Sequence, residues 1–382
     1  MYYLLLFIFL FSCSSHLYQE SAHALHHGRF EEAEKQLAKA DLPYTRTNDS
    51  PLLLLSRAMV YFQSGQMVKS LLDFEKALDA SDYYQQRSVP EIAGQTLLQD
   101  DIGAYVPPPF EQQLTRFYQA LAFLHRSEED NATATLYYLE NHSTDRNPLT
   151  TYLLATLLNR RGDHSNARIL LSRLEKESSH GNALLVHHRG KIPLKKSTIA
   201  PASIVSAAML EQMLAGTKIK PSISTLAGVP IPALESYHTL PSGTVQINGQ
   251  RNKPTVSFNI SEAAEAHLDK EMPFIATRAA ARILLRRGVV ASTKKDASPL
   301  VDLTMFISNI VTQADTRSWA MLPASIDLYH LQLEPGEHSV QIGLQNATFT
   351  VMPKQLSVIE IFEPSSEKIH VITQEKTTQE KP

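Results

Sequence analysis

The sequence predicts an α+β chain in which an N-terminal solenoid of α-helical repeats is followed by a mixed, mainly β C-terminal domain. Three observations predict it. Small residues recur at fixed offsets between residues 16 and 178. That periodicity stops after Glu177. The last third then runs through short alternating or β-branched segments separated by turn residues, the pattern of half-buried strands. The 382-residue length suits two or three domains, and 43% hydrophobic with 20% charged residues is the balance of an ordinary folded protein.

The chain opens MYYLLLFIFLFSCSSH. Tyr2 to Phe11 is unbroken hydrophobic sequence, the length of a signal-peptide core and about half of the ~20 residues a spanning helix needs. Polar residues follow at once. Residues 1–12 are therefore expected to be a signal peptide. Leu10-Phe11-Ser12-Cys13 resembles the bacterial lipobox, whose cysteine is acylated. That resemblance implies that Cys13 becomes the first mature residue and carries lipid, palmitate included. Stable anchoring needs more than one acyl chain, at ~0.8 kcal/mol per buried methylene, and a lipoprotein cysteine with an acylated amine supplies them. Ser14 and Ser15 follow, with no aspartate beside the cysteine, which resembles sorting to the outer membrane, here on the periplasmic face. Cys13 is the only cysteine, so disulfides within the chain are excluded.

The helical repeat occupies residues 13–178. Gly28, Gly65, Ser127 and Gly162 mark four copies. Five residues after each marker stands Ala33, Ser70, Ala132 or Ala167; seven before it stands Ser21, Ala58, Ala120 or Ala155. A residue tolerant of the left-handed conformation ends one helix, and facing small residues let the next helix pack closely against it. The pattern resembles the tetratricopeptide repeat, whose unit is about 34 residues. Here the markers lie 37, 62 and 35 residues apart, so the middle interval holds an insertion, about 79–109. Pro107 to Pro109 stop any helix there, and Phe110 opens a new amphipathic one. Asp100 and Asp101 suit a metal or acid–base pair on paper, but such pairs usually cap helices or face water.

Residues 179–364 are expected to form a mixed α/β domain with a C-terminal β-sheet, and 365–382 a disordered tail. Strands are expected around GNALLVHHRG, TVQINGQ, KPTVSFNI, DLTMFISNIV, SIDLYHLQL, HSVQIGL, ATFTVM and QLSVIEIF, with Pro335-Gly336 as a turn. Helices are expected over 201–216 and across SEAAEAHLDKEMPFIATRAAARILLRRG, whose Arg278, Arg282, Arg286 and Arg287 form a face that is either solvated, as such faces usually are, or set against phosphate or lipid headgroups. His187 and His188 are adjacent on a strand and point to opposite faces, and His26 and His27 diverge by about 100° on a helix. Neither pair is a metal site.

Asp315, Arg317 and Trp319 stand in QADTRSWAMLP, which holds the only tryptophan. This D-x-R-x-W-x-x-L-P stretch, the Gly190, Pro193 and Lys195 of HRGKIPLKK, and the Tyr105, Phe110 and Glu111 of YVPPPFEQQL together resemble an uncharacterised family of repeat-containing bacterial outer-membrane lipoproteins. The resemblance implies an envelope lipoprotein and brings no activity. Asp315, Arg317 and Trp319 are either a buried ion pair beside a core tryptophan or a small polar pocket with an aromatic platform for a sugar or peptide.

No Gly-x-Ser-x-Gly elbow, phosphate-binding glycine loop or His-Glu-x-x-His motif occurs. No catalytic residue, metal or cofactor is implied. The net charge of −3 argues against a nucleic-acid binder. The expected function is non-enzymatic: a lipid-anchored periplasmic protein whose repeats bind an envelope protein or peptide. The alternatives are a periplasmic glycan-binding or hydrolytic enzyme with its site around Asp315 and Arg317, and an assembly factor for a cell-surface polymer.

Overall fold

The computed structural model describes residues 13–38, 49–95, 104–143, 145–176, 181–199, 202–206, 210, 230–235, 244–293 and 314–374. The signal stretch 1–12, Asp100 and Asp101, the strand expected at DLTMFISNIV and most of the helix expected over 201–216 lie outside the described residues. So do the side chains of Cys13, Arg282, Arg286 and Arg287.

Among the described residues eight helices come first: α1 (Cys13–His26), α2 (Phe30–Ala38), α3 (Ser50–Gln63), α4 (Met67–Gln95), α5 (Pro109–His125), α6 (Glu129–His142), α7 (Pro148–Arg160) and α8 (His164–Arg173). They pair as four hairpins, each packed on the next. The first half of the expected insertion lengthens α4 rather than leaving it.

One turn closes all four hairpins. Gly28, Gly65, Ser127 and Gly162 have φ of +66°, +79°, +61° and +83°. Each marker N–H bonds the carbonyl three residues back, and the following N–H bonds the carbonyl five back, as in Gly65 to Phe62 and Gln66 to Tyr61. This double closure satisfies carbonyls that a helix end would otherwise leave free. The small residues flanking each marker are fully buried. Ser21 Oγ donates to the Ala33 carbonyl at 2.9 Å, and Ser70 Oγ to the Ala58 carbonyl at 2.9 Å. The same helix–helix contact is thus bonded from opposite sides in two hairpins.

The strands are β1 (Ala183–Arg189), β2 (Lys195–Ile199), β3 (Pro230–Leu234), β4 (Val245–Ile247), β5 (Gln250–Asn252), β6 (Val256–Asn259), β7 (Ser325–Leu331), β8 (Gly336–Ile342), β9 (Gln345–Val351), β10 (Ser357–Ser365) and β11 (Lys368–Thr373), with the long helix α9 (Ile260–Thr293) after β6. A five-stranded sheet has the order β11-β10-β1-β7-β6, with β1 and β10 parallel and the other pairs antiparallel. A four-stranded sheet has the order β5-β4-β8-β9, and β2 pairs with β3.

Strand alternation divides the five-stranded sheet's two faces. Leu184, Val186, Ile326, Leu328 and Val358 face the first helices of the hairpins and share one core with them. Leu185, Tyr329, Ile359 and Ile361 face the four-stranded sheet and meet Val340, Ile342 and Phe349. Four layers result: second helices, first helices, five-stranded sheet, four-stranded sheet. The boundary expected at 178 therefore does not divide two separate cores. Most residues of α3, α5 and α7 are buried, and the sheet is what covers their inner faces.

The expected disordered tail also needs correction, because β11 lies within it. Its side chains give the strand a place. Lys368 Nζ donates to the His27 carbonyl, His370 Nε2 to Gln63 O at 2.8 Å, and Gln374 Nε2, just past the strand, to Leu124 O at 2.6 Å. One edge strand thus caps the C-terminal ends of α1, α3 and α5. Those free carbonyls and the negative helix ends favour donors and cations there.

Candidate functional site

Four stretches far apart in sequence converge at one buried junction. Glu111, in the first turn of α5, accepts from the Tyr105 hydroxyl at 2.5 Å and from the Trp319 backbone N–H at 3.3 Å. Lys195 Nζ donates to the Arg317 carbonyl at 3.3 Å. Arg317 lies 5.9 Å over the Tyr105 ring. Its Nε and Nη2 hold Asp315 at 2.9 and 2.7 Å, and its Nη1 reaches Asp49 at 2.5 Å. Asp49 occupies the N-cap position of α3, yet makes no side-chain cap there; its carboxylate is diverted to the guanidinium.

The electrostatics follow from this packing. Burial works against Arg317's charge, but Asp315 and Asp49 more than offset it, so the group stays cationic. Burial likewise opposes the Asp315 charge, and the bonds from Arg317 hold its carboxyl below the usual range. Glu111 goes the other way: burial raises its carboxyl, with Tyr105, Lys195 and the Trp319 N–H only partly opposing.

Asp315, Arg317 and Trp319 are thus brought together as a brace. Trp319 is fully buried between Phe74 and Tyr118, and Arg317 is 5% exposed with both carboxylates engaged. A ring with no exposed face is no platform for a sugar. The junction ties the start of α3, the entrance to α5, the start of β2 and the loop before β7 into one knot.

A second polar cluster lies deeper and is missed by sequence reasoning. Glu360 on β10 is fully buried, with Oε2 2.6 Å from His188 Nε2 on β1 and Oε1 3.4 Å from His125 Nε2 at the end of α5. His188 Nδ1 lies 3.2 Å from the Tyr118 hydroxyl, and its ring stacks on Phe362. Burial, then the two histidines, act on Glu360 in opposite senses, and the histidines win: its carboxyl is held below the usual range. His188 is held below the usual imidazole value by burial, with Glu360 opposing. On the opposite sheet face His187 Nε2 meets Glu363 at 2.9 Å and Arg189 meets Asp327 at 2.8 Å. The expected divergence of His187 and His188 is what sends them to different carboxylates.

The Tyr118–His188–Glu360 chain has the order of a proton relay, but all three side chains are fully buried, so no substrate reaches it. No signal in the sequence links His188 to a carboxylate 172 positions away; only the parallel pairing of β1 with β10 does. Comparison with protein-family models, curated proteins and solved structures found no match.

Proposed function

We propose that this chain is a non-enzymatic envelope lipoprotein, acylated at Cys13 and held at the outer membrane, whose tetratricopeptide-like hairpins dock an envelope protein on their outer face. One observation supports the docking half. Among the described residues, five of the eight exposed large hydrophobic side chains lie on the second helices: Val68, Leu72 and Tyr83 on α4, Tyr138 on α6 and Ile169 on α8. The inner face, where such repeats usually receive a ligand, is covered by the chain's own sheet. An open cleft of about 590 Å³ between α6 and the α7–α8 turn, lined by Asp130, Tyr137, Leu158 and Arg161, adds shape to the outer face.

The enzyme reading loses its candidate residues to the junction. Arg317 and Trp319 have no open face, and their partners are structural.

Photo-crosslinking in cells tests the reading. A photoreactive residue at Leu72 or Ile169 should capture a defined partner, and one at Leu344, exposed on the β8–β9 turn, should not. Capture from Leu344 alone moves the docking surface to the sheets. Labelling with a palmitate analogue should mark the wild type and spare Cys13→Ser; an unlabelled wild type removes the anchor.

A further inference from the structure

A sheet ends in strands whose outer N–H and C=O groups are unpaired. Such an edge recruits further strands unless charge, proline, a bulge, shortness or a covering element guards it. Among the described residues the three sheets have six edges, and five are guarded. β2 carries Lys195 and Lys196, and β3 carries Pro230 and Pro232. β5 is 3 residues long and holds Arg251. β6 has 4 residues and packs on α7. β11 starts at Lys368, pairs with a bulged β10 and lies on the helix ends.

β9 has none of these devices. Its 7 residues, Gln345–Val351, include no charge and no proline, and they pair with β8 in unbroken register. Its outer side is open. The Asn248 N–H donates to Ser339 O at 3.0 Å and the Ser339 N–H to Asn248 Oδ1 at 3.0 Å, so the peptide groups of Ser339 turn toward β4. Alternation then turns those of His338, Val340 and Ile342 toward β9, where Phe349, Ala347 and Gln345 answer them. Asn346, Thr348 and Thr350 are left with N–H and C=O pointing away from the sheet, with no backbone partner among the described residues. Their side chains are exposed. The β8–β9 turn beside them carries Leu344, 92% exposed, the barest large hydrophobic side chain among the described residues.

We propose that β9 pairs antiparallel with β9 of a second copy of this chain, about a two-fold axis at Thr348, so that the two four-stranded sheets become one. The strand is complementary to its own reverse, as a two-fold interface requires. Thr348 falls opposite Thr348 and Asn346 opposite Thr350, so the outward residues are the ones that exchange backbone bonds. The Thr348 pair bonds across the strands, Asn346 and Thr350 meet as neutral polar groups, and no charge meets its like. The same register, carried past the strand ends, sets Leu344 against the half-buried Met352 of the second copy and covers the bare leucine. Any extended segment would satisfy the backbone groups; the reverse of this strand also matches the side chains along them. The pairing depends on neither the lipid anchor nor the outer-face docking.

Light scattering on the full-length Cys13→Ser chain across a dilution series tests it. A monomer–dimer equilibrium is expected. Thr348→Lys, at an exposed position, sets like charges opposite each other and should weaken the dimer severalfold. Thr348→Pro removes an outward N–H without touching the β8 ladder and should leave monomers. A chain that stays monomeric overturns the proposal, as does a dimer indifferent to Thr348→Lys, even where Thr348→Pro fails to fold. Disulfide trapping reads the register, since Cys13→Ser leaves no other cysteine. Thr348→Cys should crosslink to itself, because opposed residues of a bonded pair lie about 5.5 Å apart at Cα, within disulfide reach. Asn346→Cys should not, because its copy is displaced along the strands by roughly 14 Å. Equal trapping at both positions overturns the two-fold register. In cells, a photoreactive residue at Leu344 should join two copies of this chain, a product told by its mass from the envelope protein expected at Leu72 or Ile169. Capture of a different protein at Leu344 makes the occupant of the edge a strand of that protein and overturns the self-pairing.

Discussion

The hairpins and the five-stranded sheet hold their places by opposite means. Each hairpin closes on itself within about a dozen residues, through one left-handed turn and two small side chains. The sheet closes across the whole second half, with β1 lying between β7 and β10. The hairpins satisfy their buried polar atoms locally, as with the Ser21 and Ser70 hydroxyls and the Arg57–Asp73 pair between α3 and α4. The sheet carries Glu360 and its histidines into the interior, where only distant partners can. Damage to a hairpin turn should therefore be cheap and local, and damage at the helix–sheet interface expensive and shared.

The largest expected effect is at Glu360. Glu360→Ala leaves His188 and His125 facing a void in a wholly buried place, and breaking a buried pair costs about 3–5 kcal/mol. A drop of the urea midpoint equivalent to that free energy divided by the slope, with the slope unchanged, is the expected result. A loss below about 1 kcal/mol would mean that the cluster is solvated.

Acidification should strain the same interface. His26, at the end of α1, is pushed down to about 3, first by burial and then by Lys191, with the Ala320 backbone bond opposing. The folded chain thus keeps this imidazole neutral while the unfolded chain binds its proton near pH 6.5, so stability falls as pH drops from about 6.5 toward 3. His188 acts in the same sense. Glu360 adds a further loss at lower pH, because its depressed carboxyl stabilises only while ionised. Glu111 runs against these: its raised carboxyl favours the fold at acid and loses that contribution as pH rises through its folded value. The denaturation midpoint should fall steadily from about pH 7 to about pH 4.5, and His26→Gln should flatten the upper part of the fall. An unchanged slope in that variant would remove His26 from the account.

Arg317→Ala should cost less than Glu360→Ala, about 2 kcal/mol. The junction is also buried, but the Asp315 and Asp49 side chains keep 32% and 23% of their exposure, so water can replace the lost guanidinium. The measurement is the same urea titration, with intact far-ultraviolet circular dichroism as the check on folding. A cost equal to that at Glu360 would erase the distinction between a brace at the rim and a charge in the core.

The two halves also differ in how much of them the sequence discloses. Offsets of five and seven residues around Gly28, Gly65, Ser127 and Gly162 are local, so the hairpins are legible before any folding. The strands of SIDLYHLQL, HSVQIGL and QLSVIEIF are legible by alternation, but their order is not, since it depends on a parallel β1–β10 pairing across 170-odd positions. The stretch containing β11 reads as polar tail because Glu367, Lys368 and His370 outweigh Ile369, Val371 and Ile372. What makes it a strand is the row of helix ends it caps, which no window of sequence contains. Asp315, Arg317 and Trp319 stood out by spacing, yet their role turned on Asp49 and Glu111, each supplied by a different helix start.

The smallest effect tests the local half most directly. Ser127 alone among the four markers carries a side chain in the left-handed region, at φ +61°. A Cβ there is disfavoured, and glycine takes the same conformation without that cost. Ser127→Gly should therefore stabilise the chain by a few tenths to about 1 kcal/mol, the entropy gained by the unfolded chain opposing part of the relief. Gly65→Ala should destabilise by about 1 kcal/mol, although a Cβ at Gly65 meets nothing within 4 Å, because its φ of +79° is the whole obstacle. Opposite signs of similar size from two turns of one geometry would establish that each hairpin bears its own closure cost. Costs of 3 kcal/mol or more at Gly65, on the scale of a buried-pair deletion, would show instead that the turns are coupled to the sheet, and the contrast between the two halves would fail.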